Sequence, residues 1–247
     1  TGLGVAGTTT TPNNEFPYFP TTDNKVHSPG NSFTTHDIAQ AILNVLPEDQ
    51  PYGHHHRIEN EPIHRLLRDP EQIPNEQEFS LAEGNWQLYY PVGSGDLITT
   101  AANDFQAFLK QSMNVSITLK QVDSFQKLKS KEPLIILGTR EHFPQYGNRI
   151  KGPKGYAVIR EKRQLLVIGY DEPGALQGVF YLEALMKLRE APFLPQNLNQ
   201  VRESLYDRRM VLSGLGWMDW PDNLLAHIAH DGFDGIFTSV YANPNGD

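Results

Sequence analysis

The pattern of apolar and polar positions becomes regular after about residue 85. Apolar and aromatic runs predict five strands, at Trp86–Tyr90, Val115–Leu119, Pro133–Gly138, Tyr156–Arg160 and Gln164–Gly169. Apolar residues at helical spacing predict two helices, Leu97–Met113 and Pro173–Arg189. The run Pro133–Gly138 is apolar throughout, which is typical of a central strand, and the polar turn after Arg160 predicts an antiparallel hairpin. The predicted fold class is α+β, a mixed sheet with helices on one face.

The N-terminal region has a different composition. Residues 1–32 are rich in Thr, Pro, Asn and Gly and predict an extended arm or surface coil. Apolar spacing predicts two short helices beyond it, His36–Val45 and Glu61–Arg68. We therefore divide this part of the chain into an arm with short helices, residues 1–80, and an α+β accessory domain, residues 81–200.

A second pattern follows a predicted linker over residues 192–204. It reads as a strand at Arg209–Leu212, a helix at Asn223–His230 and a strand at Gly235–Tyr241. Two strands joined by a helix are expected to be parallel, through a right-handed crossover. Such a βαβ unit cannot bury its own faces, so residues 205–247 are predicted to be the first βαβ unit of a truncated (β/α)8 barrel.

Composition excludes several classes of function. The net charge is -8, and the absence of any block of five or more basic residues argues against a nucleic-acid partner. The longest apolar runs are far shorter than the roughly 18 residues of a membrane helix, and no signal peptide opens the chain. With no cysteine, the chain has no disulfide, zinc-thiolate site or cysteine nucleophile. We expect no cofactor.

The helix at residues 174–183 reads GALQGVFYLE, and Arg208-Arg209 opens the strand after the linker. This arrangement resembles the junction in many bacterial glycoside hydrolases, where a small α+β domain of the type found ahead of family-20 β-hexosaminidases and family-67 α-glucuronidases precedes a (β/α)8 catalytic barrel. The resemblance spans roughly residues 84–241. Gly and other small residues at fixed spacing in the helix would let it lie close to the sheet.

The resemblance implies the N-terminal part of a secreted, periplasmic or cell-surface hydrolase that acts on polysaccharide or glycan. Its partners would be the glycan and the remainder of the barrel. The family's catalytic carboxylates lie on later strands, so no catalytic residue is assigned and this chain alone is expected to be inactive. In family-20 enzymes an arginine that grips sugar hydroxyls follows the first barrel strand. Trp217 stands there instead, and residues 237–241 read FTSVY in place of a Trp-His-Leu run, which argues against hexosaminidase activity.

Candidate substrate-binding residues follow the two barrel strands, because reactive groups of such barrels gather at the C-terminal ends of strands. Aromatic faces stack on pyranose rings and carboxylates bind hydroxyls, which favours Trp217, Asp219, Trp220 and Tyr241. Alternatively, Trp217 and Trp220 cover the strand ends as core, and Asp219 or Asp222 caps the next helix.

A histidine group is the candidate for metal binding. His54, His55 and His56 are consecutive, and His64 follows eight residues later. Consecutive side chains point in different directions and these three lie after a predicted turn, so we assign no metal site and favour surface histidines.

Glycosidic cleavage usually needs a pair of carboxylates, and the sequence does not allow us to assign such a pair.

Two other functions stay open. The chain could be a carbohydrate-binding or structural interaction module that presents aromatic side chains, namely Trp86, Tyr89, Tyr90 and Tyr156. Strand aromatics belong more often to the core than to a binding platform. It could also be a small α/β enzyme complete in itself, which the unclosed βαβ pattern argues against.

Overall fold

The computed structural model describes residues 62–128, 132–212 and 220–237. Contacts between Cα atoms divide the chain into two compact units. One unit comprises residues 1–62 with 221–224, and of it the structure describes only Pro62 and residues 221–224. The other unit comprises residues 63–220 with 225–247, and the sheet, its cores and the candidate site all belong to it.

The described elements alternate irregularly along the chain. The strands are β1 (Glu78–Ser80), β2 (Gln87–Pro91), β3 (Thr118–Val122), β4 (Leu134–Thr139), β5 (Tyr156–Glu161), β6 (Gln164–Gly169), β7 (Phe193–Pro195), β8 (Asn199–Arg202), β9 (Met210–Leu212) and β10 (Gly235–Phe237). The helices are α1 (Asp96–Met113), α2 (Pro144–Gly147), α3 (Glu172–Arg189) and α4 (Asp222–His230), with 3-10 turns at Phe125–Lys127 and Arg140–His142.

Six strands form the main sheet, in the order β3-β2-β4-β6-β5-β8. Strands β3, β2, β4 and β6 are parallel to one another, and β5 pairs antiparallel with both β6 and β8. The β5–β6 hairpin brings Glu161 opposite Gln164, so its turn has two residues, and Lys162 takes a positive φ of 51° there. The mixed sheet of an α+β protein is therefore present, and its central strand β4 is buried along its whole length as its apolar run predicts.

Each face of the main sheet has its own core. On one face, alternate strand residues such as Ile135 and Leu137 pack against the buried sides of α1 and α3, including Phe105 and Val179. On the other face, residues such as Ile136 and Ile168 pack with Phe143 and Ile150, which belong to the segment of 3-10 turns and short α2. The two long helices share one face as predicted, and short irregular elements cover the opposite face.

Helix α3 begins at a defined cap. The Asp171 carboxylate accepts a hydrogen bond from the Gly174 amide at 2.9 Å, and Pro173 lies in the first turn. Lys187 and Arg189 lie in the last turn, where positive charge favours the helix dipole. These start and stop signals explain why the observed bounds agree with the predicted helix to within a residue.

The helix predicted over Glu61–Arg68 is wrong for its described residues. Residues 62–68 form coil and bends. The backbone N–H groups of Leu67 and Arg68 both donate to the Ser112 carbonyl at 3.0 Å, near the C-terminal end of α1. The segment therefore satisfies a carbonyl group that the end of α1 leaves free, instead of forming its own helical ladder.

Two further sequence expectations need correction. The strand predicted at Val115–Leu119 begins three residues later, because the Val115 N–H donates to the Leu109 carbonyl and completes the end of α1. The linker predicted over residues 192–204 contains two short strands, of which β7 pairs with β1 and β8 joins the edge of the main sheet.

The predicted parallel pair near the C-terminus is confirmed over its described residues. Strands β9 and β10 pair in parallel, with Met210 opposite Gly235 and Leu212 opposite Phe237. Helix α4 lies between them in the sequence. Among the described residues, no helix is both long enough and apolar enough to cross a membrane.

Candidate functional site

Four polar side chains from four parts of the fold converge inside the molecule. His64 comes from the coil before β1, Asp104 from α1, Glu183 from α3 and His230 from the last residue of α4. Each offers one nitrogen or carboxylate oxygen, and these four atoms all lie within 4.8 Å of one another. We call these residues the His/carboxylate cluster.

The helices place the two acidic residues on their core-facing sides. Asp104 is three residues after Ala101 and four before Phe108, both fully buried, so helical spacing puts it beside the core face of α1. Glu183 follows Leu182 and belongs to the buried residues of α3. The packing of α1 against α3 on one face of the sheet brings the two carboxylates together.

Asp104 is the centre of the hydrogen-bond network. Its Oδ1 lies 2.9 Å from His64 Nε2, and its Oδ2 lies 2.8 Å from His230 Nε2. Burial disfavours the charged carboxylate, but the hydrogen bonds with His230 and His64 outweigh it and hold the pKa of Asp104 well below its ordinary value. Asp104 is therefore an anion at neutral pH.

The proton arrangement of His230 follows from its other contact. His230 Nδ1 lies 2.8 Å from the Ala226 carbonyl oxygen, which can only accept a hydrogen bond, so Nδ1 carries a proton. In the neutral ring, Nε2 then presents a lone pair toward Asp104 Oδ2 at 2.8 Å and Glu183 Oε2 at 3.4 Å. The Nε2 lone pair of His230 and the two carboxylate oxygens repel one another. A proton or a metal ion must therefore lie between them.

Glu183 is the most deeply buried member. Its side chain has 0% exposure, and neither carboxylate oxygen makes a hydrogen bond within the described parts of the chain. The Lys187 ammonium lies 3.5 Å from Oε2. Burial and the nearby Asp104 charge raise the pKa of Glu183 well above its ordinary value, and Lys187 opposes them only partly.

Aromatic rings enclose the cluster. The Phe180 ring centre lies 4.0 Å from that of His230, and the Phe108 ring meets His64 edge to face at 5.6 Å. These walls lower the local dielectric and strengthen every charge interaction inside. Substrate could not reach Glu183, which argues against the open, separated pair of carboxylates that glycosidic cleavage needs. Two imidazoles and two carboxylates are instead a ligand set that suits a divalent metal.

The sequence-predicted site residues are only partly described. Trp217, Asp219 and Tyr241 lie outside the described residues, and Trp220, which precedes α4, is half-buried. His54, His55 and His56 also lie outside them. His64 is described, and the fold joins it to the His/carboxylate cluster, which the sequence analysis missed. The available signal was the placement of Asp104 and Glu183 on apolar helical faces.

The aromatic residues of the alternative binding module do not form an exposed platform. Trp86 is 3% exposed and Tyr90 is 8% exposed, both within the core between the sheet and the long helices. Tyr89 and Tyr156 are half-buried. Burial of this kind is what core aromatics show, so the described structure favours the core interpretation of Trp86 and Tyr90.

Comparison with known proteins gives only distant likenesses. No known protein family and no curated protein matches the sequence. Among solved structures, the fold is similar to a family GH115 4-O-methyl-α-glucuronidase with specificity for decorated arabinogalactans (TM-score 0.40, 13% identity, 56% of this chain and 20% of that one). It is also similar to a GH138 enzyme targeting pectin rhamnogalacturonan II (0.42, 10%, 61% and 23%) and to CpGH84B (0.44, 13%, 74% and 31%).

This chain therefore spans about a fifth to a third of the length of the three solved structures. TM-scores of 0.40 to 0.44 establish neither a family nor an activity for it.

Proposed function

We propose that this chain is the N-terminal portion of a secreted or periplasmic glycoside hydrolase that acts on polysaccharide or glycan. In this proposal the α+β domain supports a catalytic (β/α)8 barrel that opens with β9, α4 and β10. The acid and base of the reaction would lie on later barrel strands, so the α+β domain itself is non-catalytic. The proposal rests on the parallel pair β9–β10 and on the sequence resemblance of residues 174–183 and 208–209.

The parallel pair has the property expected of an incomplete sheet. Parallel strands occur almost only in sheets with both faces covered. In β9 and β10, however, large apolar side chains are open to solvent: Leu212 is 64% exposed, Phe237 54% and Met210 45%. Neighbouring strands and helices of a barrel would cover such side chains, as the (β/α)8 architecture requires.

The α+β domain already holds this βαβ unit through polar contacts. Lys154, in the loop before β5, pairs with the Asp234 carboxylate at 2.6 Å and donates a second hydrogen bond to the Asp207 carbonyl. Asp234 also accepts from the Arg209 amide at 2.8 Å. The loops that lead into β9 and β10 are therefore attached to the accessory domain, which leaves the opposite, C-terminal ends of these strands for a substrate pocket.

The test is to express the chain with all residues that its reading frame encodes beyond Asp247, beside residues 1–247 alone. We expect the longer protein to hydrolyse members of a panel of aryl glycosides and polysaccharides, and the shorter one to release no sugar. A reading frame that ends at Asp247, or one that adds no strand-helix repeats, contradicts the proposal.

Variants test the proposed substrate residues in the longer protein. Trp217→Ala and Trp220→Ala should each raise KM about 10-fold, which corresponds to the loss of roughly 1.4 kcal/mol of stacking on a sugar ring. Tyr206→Ala is the matched control, because Tyr206 is an exposed aromatic in the segment before β9 and outside the proposed pocket. Equal KM values for all three variants would remove Trp217 and Trp220 from the pocket.

A further inference from the structure

We propose that the His/carboxylate cluster, His64, Asp104, Glu183 and His230, binds one zinc ion. The site would be a closed, four-ligand structural site, and it depends on neither the hydrolase proposal nor a substrate. The argument rests on the convergence of the ligand atoms, the proton arrangement of His230 and the buried Glu183 carboxylate, which makes no hydrogen bond within the described residues.

The convergence is close to what zinc requires. Zinc binds histidine nitrogen and carboxylate oxygen at about 2.0–2.2 Å in a tetrahedron, so neighbouring ligand atoms lie roughly 3.3 Å apart. The observed separations are 2.9 Å for His64 Nε2 to Asp104 Oδ1, 2.8 Å for His230 Nε2 to Asp104 Oδ2, and 3.4 Å for His230 Nε2 to Glu183 Oε2. The 2.9 and 2.8 Å distances involve different Asp104 oxygens, and the four ligand atoms together lie within 4.8 Å of one another, so side-chain shifts of up to about 1.5 Å would give tetrahedral spacing.

The orientation of His230 is that of a metal ligand. Ligating histidines commonly donate their second ring N–H to a backbone carbonyl or carboxylate, which fixes the tautomer and aims the free lone pair at the metal. His230 does this through Nδ1, which donates to the Ala226 carbonyl at 2.8 Å within α4. Its Nε2 lone pair consequently faces the two carboxylates, at the position a metal ion would share.

Glu183 supplies the electrostatic reason for a cation. A fully buried carboxylate without hydrogen bonds is costly, and Lys187 at 3.5 Å is the only cation paired with it apart from His230 in the described residues. A divalent ion would neutralise Asp104 and Glu183 together while both imidazoles stay neutral. Imidazole nitrogen and carboxylate oxygen are both zinc ligands, and the two imidazoles set this site apart from the all-oxygen sites that magnesium and calcium prefer.

The four ligands come from elements distant in sequence, so zinc would join them. His230 is 126 residues from Asp104. A bound ion would fasten the end of α4 to α1, α3 and the coil around His64. Four protein ligands leave no open coordination position, which is the property of structural rather than catalytic zinc.

The experiment uses the 247-residue chain without an affinity tag, in a background where His54, His55 and His56 are changed to Gln so that they cannot bind metal. Chelator-treated protein is incubated with a slight excess of Zn²⁺, desalted and analysed for metal by mass spectrometry. Co²⁺ replaces Zn²⁺ in a parallel sample, and its visible absorption reports a tetrahedral site. We expect one zinc per chain and a tetrahedral cobalt spectrum.

Three variants in this background make the test specific. Glu183→Gln and His230→Gln should each weaken zinc binding by at least about 100-fold, since loss of even an outer-shell partner costs 10- to 100-fold. Lys187→Met is the matched control: it removes the charge beside Glu183 but no ligand, and should still retain one zinc per chain.

Thermal unfolding separates a metal site from a merely structural cluster. With zinc well above its Kd, the Tm of the background protein should rise by about 5–10 °C, while the Glu183→Gln variant should not respond. In chelator, Glu183→Gln should unfold at the same or a higher temperature, because Gln has no charge to bury. A background protein that retains no zinc and shows no Tm change would overturn the proposal and leave protons as what holds the cluster.

Discussion

At the residue scale, the Arg189 side chain connects the end of α3 to the segment around β1. Its Nε donates to Glu78 Oε1 at 2.9 Å, and its Nη2 donates to the Ile73 carbonyl at 3.1 Å. Glu78 Oε2 in turn accepts from the Asn75 amide at 3.0 Å. The Arg189 hydrogen bond is the main cause that lowers the pKa of Glu78, burial opposes it, and the Asn75 amide adds to it.

This shift predicts a pH-dependent contribution to stability. Because the folded pKa of Glu78 is below its ordinary value of 4.5, its ionised form stabilises the fold above that pH, and the contribution is lost as pH falls through the folded pKa. Glu78→Gln should therefore be less stable than the native chain at pH 7, and the difference should shrink below about pH 4.5. Urea unfolding across this range measures it.

Glu76→Gln is the control for Glu78→Gln, since it removes an exposed carboxylate two positions earlier and should leave stability unchanged at both pH values. A constant difference between Glu78→Gln and the native chain at every pH would show that packing, rather than ionisation, accounts for the effect of Glu78.

The His/carboxylate cluster shows what residue-level sequence reading cannot supply. The core positions Ala101, Phe105, Phe108 and Leu109 follow from helical periodicity, and all are buried. Periodicity also places Asp104 and Glu183 near apolar faces. Periodicity carries no information on whether the His64 and His230 side chains contact Asp104 and Glu183. That contact depends on how α1, α3 and α4 pack, and Asp104 and His230 are more than a hundred residues apart in the sequence. The predicted substrate residues Trp217, Asp219, Trp220 and Tyr241 stay predictions.

At the element scale, glycine lets α3 lie against the sheet. A Cβ added at Gly174 would come 2.2 Å from the Gly155 carbonyl oxygen, a backbone atom that cannot move aside cheaply. One turn later, a Cβ at Gly178 would meet Val167 of β6 at 2.8 Å. The close approach that the GALQGVFYLE sequence suggests is therefore made by these two positions.

The close contact between Gly174 and Gly155 predicts that adding one methyl group at residue 174 strongly lowers stability. Gly174→Ala should destabilise the fold by roughly 2–3 kcal/mol, because overpacking forces the start of α3 away from the Gly155 backbone. Chemical denaturation followed by circular dichroism measures it. Gly147→Ala is the control, since its added Cβ would lie 3.7 Å from the nearest atom, and it should change stability by less than about 0.5 kcal/mol. Similar losses in the two variants would contradict the packing argument.

Long periodic elements could be predicted at this scale, and short ones could not. Strands β4, β5 and β6 and helices α1 and α3 have strong apolar patterns and agree with prediction to within about a residue. Strands β1, β7 and β8 have three or four residues each and pair with distant segments, as Glu78 does with Pro195. Strands this short contain too few residues to show a periodic apolar pattern. Their formation therefore depends on pairing with distant strands.

At the scale of the whole molecule, the sequence predicted the α+β class and the parallel βαβ pattern, both of which the described structure contains. Hydrophobic periodicity and element order determine these features. The attachment of that βαβ unit to the α+β domain could not be predicted, because it depends on single polar contacts such as that of Lys154 with Asp234, eighty residues apart.

Asp234 is one of the residues that attach the βαβ unit to the α+β domain. Its Oδ1 accepts from the Arg209 amide, its Oδ2 pairs with Lys154, and its own N–H donates to the Arg209 carbonyl at 2.9 Å. Burial disfavours its charge, but the Lys154 and Arg209 bonds outweigh burial and lower the pKa of Asp234, so these contacts persist at neutral pH.

Asp234→Ala removes both side-chain contacts and leaves the backbone bond. Amide hydrogen exchange in β9 and β10 should then accelerate about 10-fold or more, while β4 and β6 in the main sheet keep their protection, because the loss opens one unit and not the core. Asp231→Ala, at an exposed position three residues earlier, should leave both regions unchanged. Faster exchange in β4 and β6 as well would mean that β9, β10 and the main sheet unfold as one cooperative unit. The Asp234 contacts would then stabilise the whole fold rather than attach β9 and β10 to the α+β domain.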